Sequence, residues 1–297
     1  MSSRSSLTAA LALGVVALAW GAIPLFVRND VPSTGLVGVR VTFGALALIG
    51  VAAALQRLEI PKVKRGRLVL SGILLALHWV TFFESLKYSP VAVALAILYL
   101  GPIAAAILAG PFLGEHVSAR LWAALGVAAF GTLLVVQPWA QNEDGAVTTR
   151  GIVMAVISAA LLTALLLVGK PVAKVLGGLT MAIGELTVAS VVLIPATYGA
   201  LTEYPEEMLS FLVLGAVLTG FAGFVYWESM RRLPMATVSV IMYLEPASAV
   251  VWAAVFLDEV PNATAWIGVG LVLAGGAMAA STPGSIDEEA LVAPSAL

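Results

Sequence analysis

Four ionisable side chains stand far inside apolar stretches of this sequence: Arg40, His78, Glu185 and Glu245. A charge deep in hydrocarbon is costly unless it meets protein partners or a water-filled path, so each marks a polar route through the chain. His78 has two readings, a core histidine bonded to a neighbouring carbonyl or a cavity residue that binds an acceptor and changes protonation near neutral pH. Phe82, one turn further on, shares the helix face of His78, and Trp79 points about 100° away from it. Tyr99 and Tyr243 each precede a proline by three residues, in Tyr99-Leu100-Gly101-Pro102 and Tyr243-Leu244-Glu245-Pro246. A proline inside a helix removes one backbone bond and frees a carbonyl that must find a partner within the protein. Gly101, Pro102 and Pro246 are therefore expected bends, either plain packing kinks or hinges that present the two tyrosines to a substrate. Glu245 is the better candidate for meeting a substrate ammonium or a coupling proton. Arg40 is read as structural, at about 9 Å from the outer edge against about 16 Å for Glu185, a gap that a stretched arginine just bridges. Trp20, Thr163 and Trp227 complete the expected aromatic and polar lining.

The elements that must position these residues are membrane helices. Of 297 residues 61% are hydrophobic and 11% charged, too few polar side chains to cover a water-facing surface. Apolar stretches of about 20 residues, the length that crosses a hydrocarbon core, recur along almost the whole chain. Ten helices are predicted, over 7–27, 34–55, 68–87, 91–113, 119–137, 151–169, 176–199, 208–230, 235–257 and 263–281. Prolines at 32, 90, 234 and 261 stand beside helix starts, where a missing N–H costs least. The first stretch holds an Ala17-Leu18-Ala19 that resembles a signal-peptide cleavage site, but its apolar run continues to Val27 and it is taken as a retained helix. Lys and Arg mark the cytoplasmic side. With the N-terminus inside, Arg4, Arg57, Lys62, Lys64, Arg65, Arg67, Arg120, Lys170, Lys174, Arg231 and Arg232 fall inside, and only Arg28, Lys87 and Arg150 fall outside. The C-terminus is also expected to be cytoplasmic.

An internal repeat gives the organisation. Phe83-Glu84-Ser85-Leu86 and Trp227-Glu228-Ser229-Met230 stand 144 residues apart (228 − 84), and the same offset pairs Pro90 with Pro234, Tyr99 with Tyr243, Pro102 with Pro246, Glu115 with Glu259 and Trp122 with Trp266. Five spans per copy are an odd number, so the second copy enters the membrane from the opposite face. The expected fold is all-α integral membrane, ten transmembrane helices in two inverted five-helix repeats: 1–137, a loop over 138–150, 151–281, and a disordered cytoplasmic tail over 282–297. Inverted repeats set a binding site near the midplane between two halves that open alternately to each side.

Pro90-x-Ala92…Leu100-x-Pro102…Phe112-Leu113-Gly114-Glu115, repeated as Pro234-x-Ala236…Leu244-x-Pro246…Phe256-Leu257-Asp258-Glu259, resembles the EamA family of the drug/metabolite transporter superfamily. The likeness covers nearly the whole chain, and within the family the aromatic lining is most similar to YddG-type bacterial exporters of aromatic amino acids. The second copy departs from the pattern, with Asp258 for Gly114 and Glu245 for Gly101. The resemblance implies export of small metabolites, above all amino acids, across a bacterial inner membrane. Efflux of hydrophobic organic cations is the alternative, since Glu185, Glu245 and the tyrosines could form an aromatic cage for a cation. A membrane enzyme fits poorly: there are two histidines, no His-Glu-x-x-His and no paired intramembrane aspartates. A sugar-phosphate exchanger would need more deep cations than Arg40. No cofactor, metal site or nucleic-acid partner is expected, and two halves complete a cavity without a second chain. Glu84 with Lys87, and Glu228 with Arg231 and Arg232, have helical salt-bridge spacing. Glu115 and Glu259 are read as residues that fix loops.

Overall fold

Proline positions and capping side chains divide a long apolar chain into helices. The computed structural model describes residues 3–26, 31–89, 91–140, 148–256 and 261–280, and all regular elements among them are helical. They are α1 (Ser3–Trp20), α2 (Ser33–Ala54), α3 (Arg65–Ser85), α4 (Val91–Leu98), α5 (Leu100–Leu113), α6 (Ala119–Val136) and α7 (Thr149–Leu176). There follow α8 (Gly178–Val192), α9 (Ile194–Glu203), α10 (Met208–Leu212), a π-helical stretch Val213–Phe221, α11 (Ala222–Met230), α12 (Met235–Met242), α13 (Leu244–Phe256) and α14 (Ala263–Ala280). Seven helical stretches among the described residues are long and apolar enough to cross a bilayer. An eighth is the pair α8 and α9 taken as one broken span, and Ser6–Trp20 and Ala263–Ala279 are shorter apolar helices. Exposed Leu11, Ile107, Phe130, Val156 and Ile267 cover the outside with apolar surface, for which lipid is the matching solvent. This is a multi-pass membrane protein.

Several expected boundaries move. The first helix stops at Trp20 and gives way to a 3₁₀ turn over Ile23–Phe26 instead of running to Val27. The sixth predicted helix continues past Lys170 and carries Pro171 inside it, so one lost backbone bond is tolerated where Val172 and Ala173 are fully packed. The seventh breaks at Leu193 with a 76° bend. Pro195 lies in the first turn of α9, and the N–H it lacks is the one that would continue the ladder from Val191. The two expected proline bends fall slightly earlier, at Tyr99 and Tyr243, the residues between α4 and α5 and between α12 and α13. Glu259 and the tail 282–297 lie outside the described residues.

Caps recur 144 residues apart. Ser118 accepts the Leu121 N–H at 3.3 Å and starts α6, and Asn262 (262 − 118 = 144) accepts the Ala265 N–H at 2.9 Å and starts α14. These two helices pack on each other. At their crossing a Cβ on Gly131 would stand 2.8 Å from the Gly268 carbonyl oxygen, and one on Gly268 would stand 2.6 Å from that of Gly131, so only glycine permits the approach. Elsewhere α3 packs on α7 and α8, α1 on α11, α12 and α13, α2 on α8 and the π-helical stretch, and α5 on α7 and α12.

Candidate functional site

Helices α1 to α5, α7, α8 and α11 to α13, with the π-helical stretch, surround a cavity of about 390 Å³. A second hollow of about 370 Å³ lies in the groove between Glu59–Lys62 and Val175–Thr180, and none of the deep ionisable side chains reaches it. The central cavity gathers most of the residues expected to form a path: Trp20, His78, Trp79, Phe82, Tyr99, Pro102, Trp227, Glu245 and Pro246. It also holds Arg40 and Glu185.

Arg40 is a correction to the sequence reading. It is buried, with Nε donating to Thr219 Oγ1 at 3.2 Å and its guanidinium 4.4 Å above the Trp79 ring and 5.5 Å from that of Phe83. It makes no ion pair within 4.0 Å among the described residues, with Glu185 or with any other acid. Cation–π contact and one hydroxyl replace the expected bridge, because α8 carries Glu185 towards α11 instead. There the Trp227 Nε1–H donates to Glu185 Oε2 at 2.6 Å, and Oε1 is buried without a partner. Glu245 lies across the cavity, where the Tyr99 phenol faces its carboxyl, and it is within electrostatic reach of Arg40.

His78 uses Nδ1 as a brace. That nitrogen lies 3.0 Å from the Ser158 carbonyl oxygen and 2.9 Å from Ser158 Oγ, while the Ser158 hydroxyl donates to the His78 carbonyl at 2.9 Å. The ring lines the cavity as well, so the two readings of His78 coexist. Trp20 is fixed by an Nε1–H bond of 2.7 Å to the Leu218 carbonyl in the π-helical stretch and rests 5.2 Å from the Tyr226 ring. Such wide turns leave carbonyls open to partners from outside the helix and are frequent at functional sites.

Three expected site residues stand behind the lining. The Thr163 hydroxyl is directed at the Gly101 and Ala159 carbonyls, at 3.1 and 2.9 Å. The Tyr243 hydroxyl donates to the Tyr99 carbonyl at 2.9 Å, with the two rings 5.5 Å apart. Gly101 packs against the Ala159 carbonyl, 3.0 Å from where a Cβ would be. Tyr226, Thr219, Ser239 and Met242 are lining residues that the sequence reading missed. The signal was available for Tyr226, which is the repeat partner of Phe82 (226 − 82 = 144). Other lining residues pair at the same offset: Leu75 with Thr219, Phe83 with Trp227, Leu95 with Ser239, Leu98 with Met242 and Pro102 with Pro246.

Ionic contacts away from the cavity tie helix ends together. Lys170, almost fully buried, pairs with Glu115 at 2.5 Å and donates to the Leu233 carbonyl at 2.6 Å, and Glu115 Oε2 accepts the Met235 N–H at 2.6 Å. Gly114, at φ +69°, makes the left-handed stop that lets Glu115 turn inward. Glu84 binds Lys87 at 3.3 Å, as its spacing predicts, and also Arg150 at 3.1 Å and Ser33 at 3.4 Å. Glu228 binds Arg231 and Arg232, again as predicted, and accepts the Gly178 N–H at the start of α8 at 3.0 Å. Those hydrogen bonds hold the Arg231 guanidinium above its ordinary pKa.

Known proteins with this pattern are transporters. The EamA-like transporter family matches the chain over residues 7–137 and again over 149–281. The uncharacterized transporter YxxF of Bacillus subtilis (strain 168) is 24% identical over 94% of this chain and 91% of its own length. The threonine/homoserine exporter RhtA of Escherichia coli (strain K12) is 27% identical over 82% of this chain and 80% of its own length. The probable terminal-alkyne amino-acid exporter of Streptantibioticus cattleyicolor is 25% identical over 89% and 90%. A solved crystal structure superposes with a TM-score of 0.77 at 19% identity, covering 92% of this chain and 98% of that one, a likeness of fold. Two matches to one family model, together spanning nearly all of the chain, identify a transporter and not an enzyme, and the chain belongs to the EamA-like transporter family.

Proposed function

We propose that the protein crosses the inner membrane of a bacterium ten times, as inverted five-helix repeats over 1–137 and 151–281, and exports amino acids, aromatic and other neutral ones, by alternating access around the central cavity. The observation that carries this reading is the pairing of cavity residues at one constant offset, with Phe82 and Tyr226, Phe83 and Trp227, and Pro102 and Pro246 supplied by corresponding places in the two copies. The seven long spans, the broken eighth and the two shorter apolar helices support the count of ten. The paired contacts support the inversion: α3 against α7 corresponds to α11 against α1, and α6 against α14 is its own counterpart. Both termini face the cytoplasm, where the basic residues concentrate. Trp20, His78, Trp79, Phe82, Tyr99, Trp227 and Glu245 contact substrate, Thr163 and Tyr243 brace them from behind, and Gly101, Pro102 and Pro246 are hinges. The names of relatives that export amino acids support the substrate class.

Reconstituted protein should move labelled phenylalanine and threonine saturably. A second reading, efflux of hydrophobic organic cations, is favoured by Glu185 and Glu245 near the Tyr226 ring. Transport of a quaternary ammonium dye without amino-acid flux would establish that reading and overturn the first.

A further inference from the structure

Two ionisable side chains of the cavity have ring or hydroxyl contacts but no counter-ion within 4.0 Å among the described residues. Arg40 engages one of its five N–H groups, on Thr219, and its terminal nitrogens have no acceptor among the described residues. Glu245 has no cationic partner within 4.0 Å among the described residues, although Arg40 is within its electrostatic reach. Both line the same cavity, too far apart for a direct ion pair. Arg40 is buried and Glu245 half-buried, and ions of opposite sign held away from bulk water without counter-ions are costly until a ligand brings the missing partners.

We propose that the cavity holds its ligand as a zwitterion, the carboxylate on the free fork of Arg40 and the ammonium against Glu245. The proposal rests on the amino-acid reading above and narrows it to compounds with both groups free. Thr219, whose oxygen accepts from Arg40 Nε, keeps its own proton for the carboxylate. The Tyr99 phenol stands beside Glu245 as a second polar contact for the ammonium end. An organic cation would meet Glu245 but leave Arg40 facing a positive ligand, and an organic anion would do the reverse with Glu245. The wall formed by Trp20 and Tyr226 is left for the side chain.

The test is uptake of labelled phenylalanine by proteoliposomes holding the full-length protein, in competition with unlabelled phenylalanine, phenethylamine, 3-phenylpropionate and N-acetylphenylalanine. Each analogue lacks one of the two charges, and each should need at least about 30-fold more than phenylalanine for half-inhibition, the scale of losing one partner of a buried charge pair. In Arg40→Gln the preference for phenylalanine over phenethylamine should collapse, and in Glu245→Gln the preference over 3-phenylpropionate should collapse, whatever the residual rate. Equal competition by any analogue in the wild type overturns the proposal while leaving the amino-acid reading intact. An Arg40→Gln protein that still discriminates against phenethylamine does the same. If that variant does not fold, the competition series on the wild type decides alone. Absence of both phenylalanine and threonine flux, with dye flux present, overturns the amino-acid reading and this proposal together.

Discussion

A buried polar side chain whose partner is deleted is left with its desolvation cost, so single substitutions around this cavity should separate bracing from ligand contact. Ser158 meets His78 by both its hydroxyl and its carbonyl, and Ser158→Ala should lower unfolding stability by about 1–3 kcal/mol, read from thermal melts in detergent. A melt indistinguishable from wild type would mean that the hydroxyl half of the brace adds nothing and that the Ser158 carbonyl alone holds His78. Trp227 is the donor on Glu185, whose second oxygen has no partner, so Trp227→Phe should destabilise by a similar amount, about 1–3 kcal/mol. Adding Glu185→Leu removes the orphaned acid and should recover most of that loss. No recovery would show that Trp227 acts through packing alone. At this scale the sequence was legible wherever a rare residue type interrupted an apolar helix: His78, Glu185, Glu245 and Trp227 were found that way. It was not legible where orientation mattered. Thr163, expected in the lining, stands behind it because a threonine hydroxyl on a helix finds its own Ala159 carbonyl first, and Arg40, expected to reach Glu185, meets Thr219 and the Trp79 face instead.

Helices are joined here by a few ionic and glycine contacts. Lys170 on α7, Glu115 after α5 and the Leu233-Pro234-Met235 turn before α12 form one buried network. Glu115→Ala strands the Lys170 ammonium and should destabilise by about 3–5 kcal/mol, whereas Glu115→Ala with Lys170→Met should recover part of that loss, since removing both charges removes their desolvation but still leaves the Met235 N–H and Leu233 carbonyl without these partners. Additive losses in the double variant would refute the coupling. Gly169 gives a second case: a Cβ there would overlap the Trp227 ring. Gly169→Ala should displace that indole, weaken flux and alter tryptophan fluorescence, with unchanged fluorescence as the contrary outcome. Boundaries were read well where a proline or a cap sits at the surface, as at Ser118. They were missed where a proline lies inside a continuing helix, at Pro171, or breaks one, at Pro195. Local sequence cannot distinguish those two, since the neighbours that accept or replace the lost hydrogen bond come from other helices.

For the molecule as a whole, the two copies predict a topology that can be measured directly, because the chain contains no cysteine. In intact cells a membrane-impermeant maleimide should label Glu206→Cys and spare Arg67→Cys until the membrane is permeabilised; both native residues are exposed. Labelling of Arg67→Cys from outside would reverse the proposed orientation, and labelling of both would contradict the span count. The sequence by itself determined that lipid is the solvent, that the chain is duplicated and that a few deep ionisable residues need polar surroundings, since each follows from composition, periodicity or a constant offset. Only the tertiary structure decided which polar groups meet. The facing of Arg40 to Trp79 and Thr219, of Glu185 to Trp227 and of Tyr243 to the Tyr99 carbonyl depends on the rotation and crossing of helices far apart in the chain. Close-packed side chains and glycine contacts set those rotations, and a hydropathy pattern along one helix carries no record of them.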